Sequence, residues 1–175
     1  MDRWDPLKAA AVPLDALLRD ATHQTLLHGD AKLANFCWRG QTPREDGSAC
    51  GRGGESGSGS GIGIGCGSES ESGDLPPVVA AVDFQYAGWG VGVLDIAYCL
   101  GSFPGVDDLA CDGPHLLDAY FAALAAPPEV EAERRALHCV AVADFERFLA
   151  GWAGSSFRRG GFVGVKVQEA LALIA

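Results

Sequence analysis

The pattern of apolar positions predicts a chain that is mainly helical in its second half. Leu116, Tyr120 and Leu124 lie on one face of a helix, which Pro127 and Pro128 bring to an end. Apolar stripes at the same spacing predict further helices over residues 13–21, 94–102, 129–152 and 163–175. Short connections between such helices are typical of a compact helical domain.

Two short stretches have the composition of strands. Residues 35–39 (NFCWR) and 78–84 (VVAAVDF) are rich in β-branched, small apolar and aromatic side chains. Residues 42–74 between them consist largely of Gly and Ser, which lose much entropy on ordering and offer little to bury. We predict a disordered insertion at 42–74 and a hairpin formed by its flanking strands. The predicted fold class is α+β, in a single domain over residues 1–175.

Composition narrows the function classes. The 175 residues include 13 basic and 23 acidic side chains, a formal net charge of −10, which repels nucleic-acid phosphates and anionic lipid. The six cysteines include no C-x-x-C pair, and no stretch approaches the length of a membrane span. We therefore expect a cytoplasmic protein that binds neither nucleic acid nor membrane.

Most of the candidate chemistry lies in one segment, HGDAKLAN, residues 28–35. Asp30 stands five positions before Asn35, with Lys32 between them. Phosphoryl transfer can use this spacing, since an Asp can take a hydroxyl proton, an Asn can hold a metal ion and a Lys can neutralise phosphate charge. Asp83, at the end of the second predicted strand, supplies a second metal-binding carboxylate. The predicted hairpin would turn Asn35 and Asp83 toward one ion.

These residues resemble a known family. HGDAKLAN resembles the catalytic loop of the protein-kinase-like fold in its small-molecule branch, the aminoglycoside phosphotransferase and choline kinase-like enzymes. VDFQ, residues 82–85, resembles the metal-binding motif of that branch, and LDIAY, residues 94–98, resembles the segment whose Asp supports the loop. The resemblance runs from about residue 26 to residue 102, apart from the insertion, and continues more weakly to residue 152. It implies the C-terminal lobe of a kinase-like fold, with the short hairpin carrying the loop and the metal motif.

Carried over residue by residue, the resemblance implies an ATP-dependent phosphotransferase that uses Mg²⁺. The γ-phosphate of ATP would pass to a hydroxyl group of a small molecule. Cationic amino alcohols and amino sugars are candidate acceptors. In this family pattern Asp30 would be the catalytic base, and Lys32 would contact the nucleotide and the transferred phosphate. Asn35 and Asp83 would bind the magnesium ion that the nucleotide carries. His28 and Asp95 would support the loop.

Departures from the kinase pattern leave two hypotheses open. Only twelve positions separate Asp83 from Asp95, too few for the long segment on which protein kinases dock a peptide, so a small substrate is favoured. No glycine-rich strand turn and no strand Lys precede His28. Either the protein is a small-molecule kinase whose N-terminal lobe belongs to another chain or is missing from this sequence, or it is a non-catalytic kinase-like remnant or fragment that serves as a binding or scaffold module. By itself, the chain is expected to be inactive.

Each candidate residue also has a purely structural explanation. Asp and Asn side chains often satisfy backbone donors in turns, which would account for Asp30, Asn35 and Asp83. An Asp such as Asp95 commonly caps its own helix, and a Lys such as Lys32 is usually solvated. Only the joint occurrence of the three motifs in order favours a phosphotransferase site over these explanations.

Overall fold

A computed structural model describes residues 5–39, 78–102, 109–153 and 161–175. In these ranges the protein is α+β and mainly helical, as the apolar pattern predicts. The elements, in chain order, are α1 (Asp5–Ala9), α2 (Ala11–Arg19), β1 (Gln24–Leu27), a 3₁₀ turn (Leu33–Asn35), β2 (Phe36–Arg39), β3 (Val78–Ala81), β4 (Gly88–Val91), α3 (Val93–Gly101), α4 (Leu109–Leu124), α5 (Pro128–Ala153) and α6 (Gly161–Leu173).

The four strands form two small sheets. β1 and β4 pair antiparallel, with Leu26 opposite Trp89, and β2 pairs with β3 as the predicted hairpin requires. The strand predicted over residues 78–84 is too long, because β3 ends at Ala81 and the chain turns at Asp83, where φ is 65°. The sequence pattern misses β1 and β4, since each has only four residues and β4 contains two glycines.

Contacts divide the chain into two compact units. The first unit comprises residues 1–36 and 81–175 and contains every helix and the β1–β4 sheet. The second unit comprises residues 37–80, of which the structure describes most of β2 and β3. The insertion predicted at residues 42–74 lies outside the described residues. All the candidate residues from the sequence belong to the first unit.

Helix α5 forms the centre of the first unit. Val140, Ala141 and Ala143 are fully buried, and every residue from 138 to 143 is buried. Helices α2, α3 and α6 pack around α5. Residues 138–143 are thus enclosed on all sides, so the single apolar face predicted for residues 129–152 understates the burial of this part of α5. No helix in the described ranges combines the length and apolar character that crossing a bilayer requires.

Close packing at Gly101 fixes α3 against α5. A Cβ atom at Gly101 would lie 2.5 Å from Cε1 of Phe145, so a larger residue there would force the Phe145 ring or the helices to shift. Val93, Ala97 and Leu100 bury the inner face of α3 in the same core. The remaining face of α3 thereby acquires a fixed position beside the segment that follows β1.

A buried histidine lies in this core. His138 of α5 is 3% exposed, its ring lies 6.2 Å from that of Phe162, and its Nε2 has no hydrogen-bond partner in the part of the chain that the structure describes. Burial, with a smaller contribution from the charge of Lys166 on α6, lowers the pKa of His138 to about 4, and Glu169 opposes the shift. The folded protein therefore holds this imidazole in its neutral form.

This histidine makes stability depend on pH. Because the folded-state pKa of about 4 lies below the ordinary 6.5, the unfolded chain takes up the proton first as pH falls. The free energy of unfolding should be highest above pH 6.5 and fall toward pH 4, with a contribution from this group of about 3 kcal/mol at most. Urea unfolding at several pH values, for the wild type and for His138→Leu, measures the effect. His115→Gln, at an exposed histidine of α4, is the control, and an unchanged pH dependence in His138→Leu would contradict the account.

Candidate active site

Asp95 connects α3 to residues 28–35, which follow β1 and end with the 3₁₀ turn, and which we call the 28–35 loop. Its carboxylate accepts the backbone N–H of His28 at 2.7 Å and that of Gly29 at 2.9 Å, one on each oxygen. The position before α3 is held by Gly92, which makes no side-chain capping bond. The Asp95 carboxylate thus accepts N–H groups of the loop and does not cap its own helix. Hydrogen bonds to a charged acceptor of this kind are among the stronger ones in proteins.

His28 braces the loop from inside. It is 8% exposed, and its ring lies 4.5 Å from that of Phe84. Nδ1 accepts the backbone N–H of Asp30 at 3.3 Å, and Nε2 lies 2.9 Å from the carbonyl oxygen of Val82. One tautomer, with the proton on Nε2, satisfies both contacts. His28 therefore joins the loop to the chain just before Asp83, and its position suits a structural role.

The carboxylate of Asp30 collects two donors within the loop. Lys32 Nζ lies 2.6 Å from Asp30 Oδ2, and Asn35 Nδ2 donates to the same oxygen at 3.0 Å and to the Asp30 carbonyl at 2.8 Å. Asn35 is 6% exposed, so its amide is held in a buried place by these bonds. The structure thus brings together all three polar side chains that the HGDAKLAN motif singles out.

Asp83 lies next to the loop in an unusual backbone conformation. Its φ of 65° is in the left-handed region, which Asp adopts more readily than most residues. The preceding residue is fixed on both sides, because Val82 N–H donates to the Asn35 carbonyl at 3.0 Å while the Val82 carbonyl faces His28. Asp83 is exposed, and its charge is felt at Lys32. A strained residue of this kind occurs mainly at functional sites.

Electrostatics keep Lys32 positively charged. The hydrogen bond to Asp30 raises the pKa of Lys32 above its ordinary 10.5, desolvation opposes the shift, and the charges of Asp30 and Asp83 add to it. The Lys32 side chain is 46% exposed, so its ammonium group remains accessible to an anionic ligand. Lys32 thereby places one cation beside the carboxylate of Asp30 and within the field of Asp83.

A cavity of about 600 Å³ opens beside Asp30, within the range of small-molecule sites. Its wall combines the loop with aromatic side chains from three other segments. The lining residues are Gly29, Asp30, Lys32, Gln85, Tyr86, Tyr98, Gly101, Ser102, Phe145, Phe148 and Leu149. None of these aromatic residues belongs to the predicted site, and in the sequence Phe145 and Phe148 have only the spacing of core positions on a helix.

The inner wall of the cavity is aromatic, and an ion pair of α5 lies within electrostatic reach of it. The Tyr98 ring lies 4.3 Å from that of Phe145 and 6.2 Å from that of Phe148. Burial raises the pKa of Tyr98, and the carboxylate of Asp144 adds to the shift more than any other charge. Arg147 binds the same carboxylate, with Nη2 at 2.6 Å and Nε at 3.0 Å. Both bonds fall on Oδ1 of Asp144, and the positive charge of Arg147 opposes the effect of Asp144 on the pKa of Tyr98.

The capacity to hold a metal ion rests on Asn35 and Asp83. No three His, Cys, Asp or Glu side chains cluster closely enough to bind an ion in the described ranges. Mg²⁺, however, commonly takes only one or two protein ligands and completes its shell with water and phosphate oxygens. Asn35 uses Nδ2 toward Asp30, which leaves its Oδ1 out of those bonds. The donor set fits a Mg²⁺ ion that is shared with a phosphate ligand and does not fit a self-sufficient protein cage.

Comparison of the chain with protein-family models, curated proteins and solved structures finds no match. The resemblance to small-molecule kinases therefore depends on the motif residues alone. The case for a function depends on the geometry described above.

Gly29 provides a test of how tightly the loop is built. Its φ is 81°, and a Cβ atom there would lie 2.1 Å from the backbone oxygen of Tyr86. Gly29→Ala should lower the free energy of unfolding by more than about 2 kcal/mol, since strain and a backbone clash act together. Gly88→Ala is the matched control, because its Cβ atom would approach Tyr86 O only to 3.8 Å. Urea unfolding that finds equal effects for the two variants would show that the loop is looser than described.

Proposed function

We propose that the protein is an ATP-dependent phosphotransferase that moves the γ-phosphate of ATP to a hydroxyl group of a small molecule. In this proposal the described residues form the C-terminal lobe of a kinase-like fold. The observation that carries the proposal is the 28–35 loop, in which Asp30, Lys32 and Asn35 are joined by hydrogen bonds at the edge of a 600 Å³ cavity. Asp95 and His28 hold that loop in place.

Asp30 is suited to act as the general base. Both of its side-chain contacts in the described residues fall on Oδ2, so Oδ1 is the oxygen that can receive a proton. The proton of the acceptor's hydroxyl group passes to Asp30 while the oxygen of that hydroxyl group forms a bond to the γ-phosphorus. The bond from the γ-phosphorus to the bridging oxygen then breaks, and ADP leaves with that electron pair. A correctly placed base of this type contributes roughly 10² to 10⁴ in rate.

Lys32, together with a magnesium ion bound by Asn35 and Asp83, would neutralise the negative charge of the phosphates. Lys32 is held protonated and half exposed, so its ammonium can turn from Asp30 toward the moving phosphoryl group. Asn35 and Asp83 are the residues that would hold Mg²⁺, which supplies neutralisation of the nucleotide phosphates when it is bound. Asp83 keeps its carboxylate exposed for this purpose.

The acceptor is proposed to lie against the aromatic wall. Tyr98, Phe145 and Phe148 offer aromatic surface in the cavity that the Asp30 carboxylate also lines. Aromatic faces bind quaternary and primary ammonium groups, so amino alcohols and amino sugars fit this wall. Choline and its uncharged carbon isostere form a matched pair of acceptors that isolates the effect of the charge.

Two substitutions separate the proposed roles. Asp30→Asn should lower turnover by roughly 10² to 10⁴ while Mg-ATP affinity changes less than about twofold, because a base acts mainly in the transition state. Asp83→Ala should weaken both Mg-ATP binding and transfer. Asp15→Asn, an exposed carboxylate of α2, is the control. Calorimetry with Mg-ATP measures affinity, and phosphorus NMR measures transfer, for the chain alone and with a separately expressed N-terminal lobe added.

The outcomes distinguish the two hypotheses. Transfer that Asp30→Asn abolishes supports the phosphotransferase. Mg-ATP binding with no transfer in either sample supports the non-catalytic binding module in its place. If Asp83→Ala leaves the magnesium dependence of nucleotide binding intact, the metal assignment is wrong.

A further inference from the structure

Ser102 makes an unusual pair of hydrogen bonds at the end of α3. Its backbone N–H closes the helix by donating to the carbonyls of Tyr98 and Cys99 at 3.1 and 3.2 Å. Its hydroxyl donates to the Cys99 carbonyl at 2.8 Å and accepts the backbone N–H of Leu33 at 2.9 Å. The first of these hydroxyl bonds belongs to the helix end, whereas the second reaches a residue far away in sequence.

Leu33 is the point at which this bond acts on the site. It is the first residue of the 3₁₀ turn that ends at Asn35, and the start of such a turn has backbone donors without partners in the turn itself. The turn is closed by Asn35 N–H, which donates to the Lys32 carbonyl at 2.9 Å. Fixing Leu33 therefore fixes the turn, and the turn carries the Asn35 amide that binds Asp30.

The loop is thus held at two points by one rigid element. Asp95, in the first turn of α3, binds His28 and Gly29 before Asp30, and Ser102, at the other end of the helix, binds Leu33 after it. Seven helical residues span about 10 Å, so α3 sets the separation between the two anchors. The packing of Gly101 on α5 keeps this separation from changing.

We infer that Ser102 is a positioning residue that sets the Asn35 amide against the Asp30 carboxylate. Its consequence for phosphoryl transfer rests on the proposed function, whereas its effect on the geometry of Asn35 does not. The motif resemblance assigns no role to this serine, and a serine that only terminated α3 would have no reason to bond Leu33. Removing the hydroxyl should release Asn35 and leave the rest of the fold in place.

Ser102→Ala tests the inference in the full chain. Exchange of the Leu33 backbone amide and of the Asn35 side-chain amide, followed by NMR, should become about tenfold faster, while amides of the β1–β4 pair keep their protection. Mn²⁺, titrated as a paramagnetic substitute for Mg²⁺, should bind several-fold more weakly near Asn35. Ser102→Thr, which keeps the hydroxyl, should restore both values. Tyr120→Phe is the control, since it removes a half-buried hydroxyl that bonds Arg134.

The readouts judge the inference and the proposed function separately. An Asn35 side-chain amide that exchanges at the wild-type rate in Ser102→Ala overturns the inference, even if Leu33 exchanges faster. Faster exchange at every amide also overturns it, because the serine would then be a general stabiliser. A wild-type chain that binds no Mn²⁺ contradicts the proposed magnesium site, while the Asn35 exchange rates still decide the role of Ser102.

Discussion

The carboxylate of Asp95 is the constraint on which the site depends. It accepts two adjacent backbone N–H groups, those of His28 and Gly29, and so orients the peptide units that lead into Asp30. Buried or half-buried N–H groups in a loop need such a partner, because leaving one without an acceptor costs about 1–3 kcal/mol. The position of this carboxylate depends on the position of the helix that carries it. Asp95 is held in place because α3 packs closely on α5, the helix at the centre of the core.

The loop in turn holds charged and polar side chains in fixed positions, although two of them carry like charges. Asp30 and Asp83 carry like charges near each other, and Lys32 lies within the field of both. Asn35, buried and bonded to Asp30 twice, fixes one side of this group, and the bond between Val82 and the Asn35 carbonyl fixes the approach to Asp83. Preorganised polar groups of this type favour catalysis, since they need little rearrangement when charge develops. The proposed phosphotransferase activity would draw on that preorganisation.

The spacing of apolar residues was enough to predict the helical character of the fold, and the motif spacing was enough to predict that three polar side chains lie together. Asp30, Lys32 and Asn35 stand close in sequence, so a single loop had to place them together. Ser102 could not be predicted, because its partner Leu33 is brought to it only by the packing of α3. The aromatic wall was missed for a related reason: Phe145 and Phe148 have the spacing of ordinary core residues, and nothing local shows that a cavity opens beside them. Strands β1 and β4 were not predicted from the sequence, because strands this short are stabilised by cross-strand pairing and not by local propensity.

The most direct test of the account is amide hydrogen exchange in Asp95→Asn. The substitution keeps the size of the side chain but replaces one accepting oxygen by an NH₂ group, so one of the two loop amides loses its partner. We expect His28 or Gly29 to exchange about tenfold faster, and the Asn35 side-chain amide to follow, while the amides that are hydrogen-bonded between β1 and β4 stay protected. Wild-type exchange rates at His28, Gly29 and Asn35 in this variant would show that some other contact holds the loop, and would contradict the account.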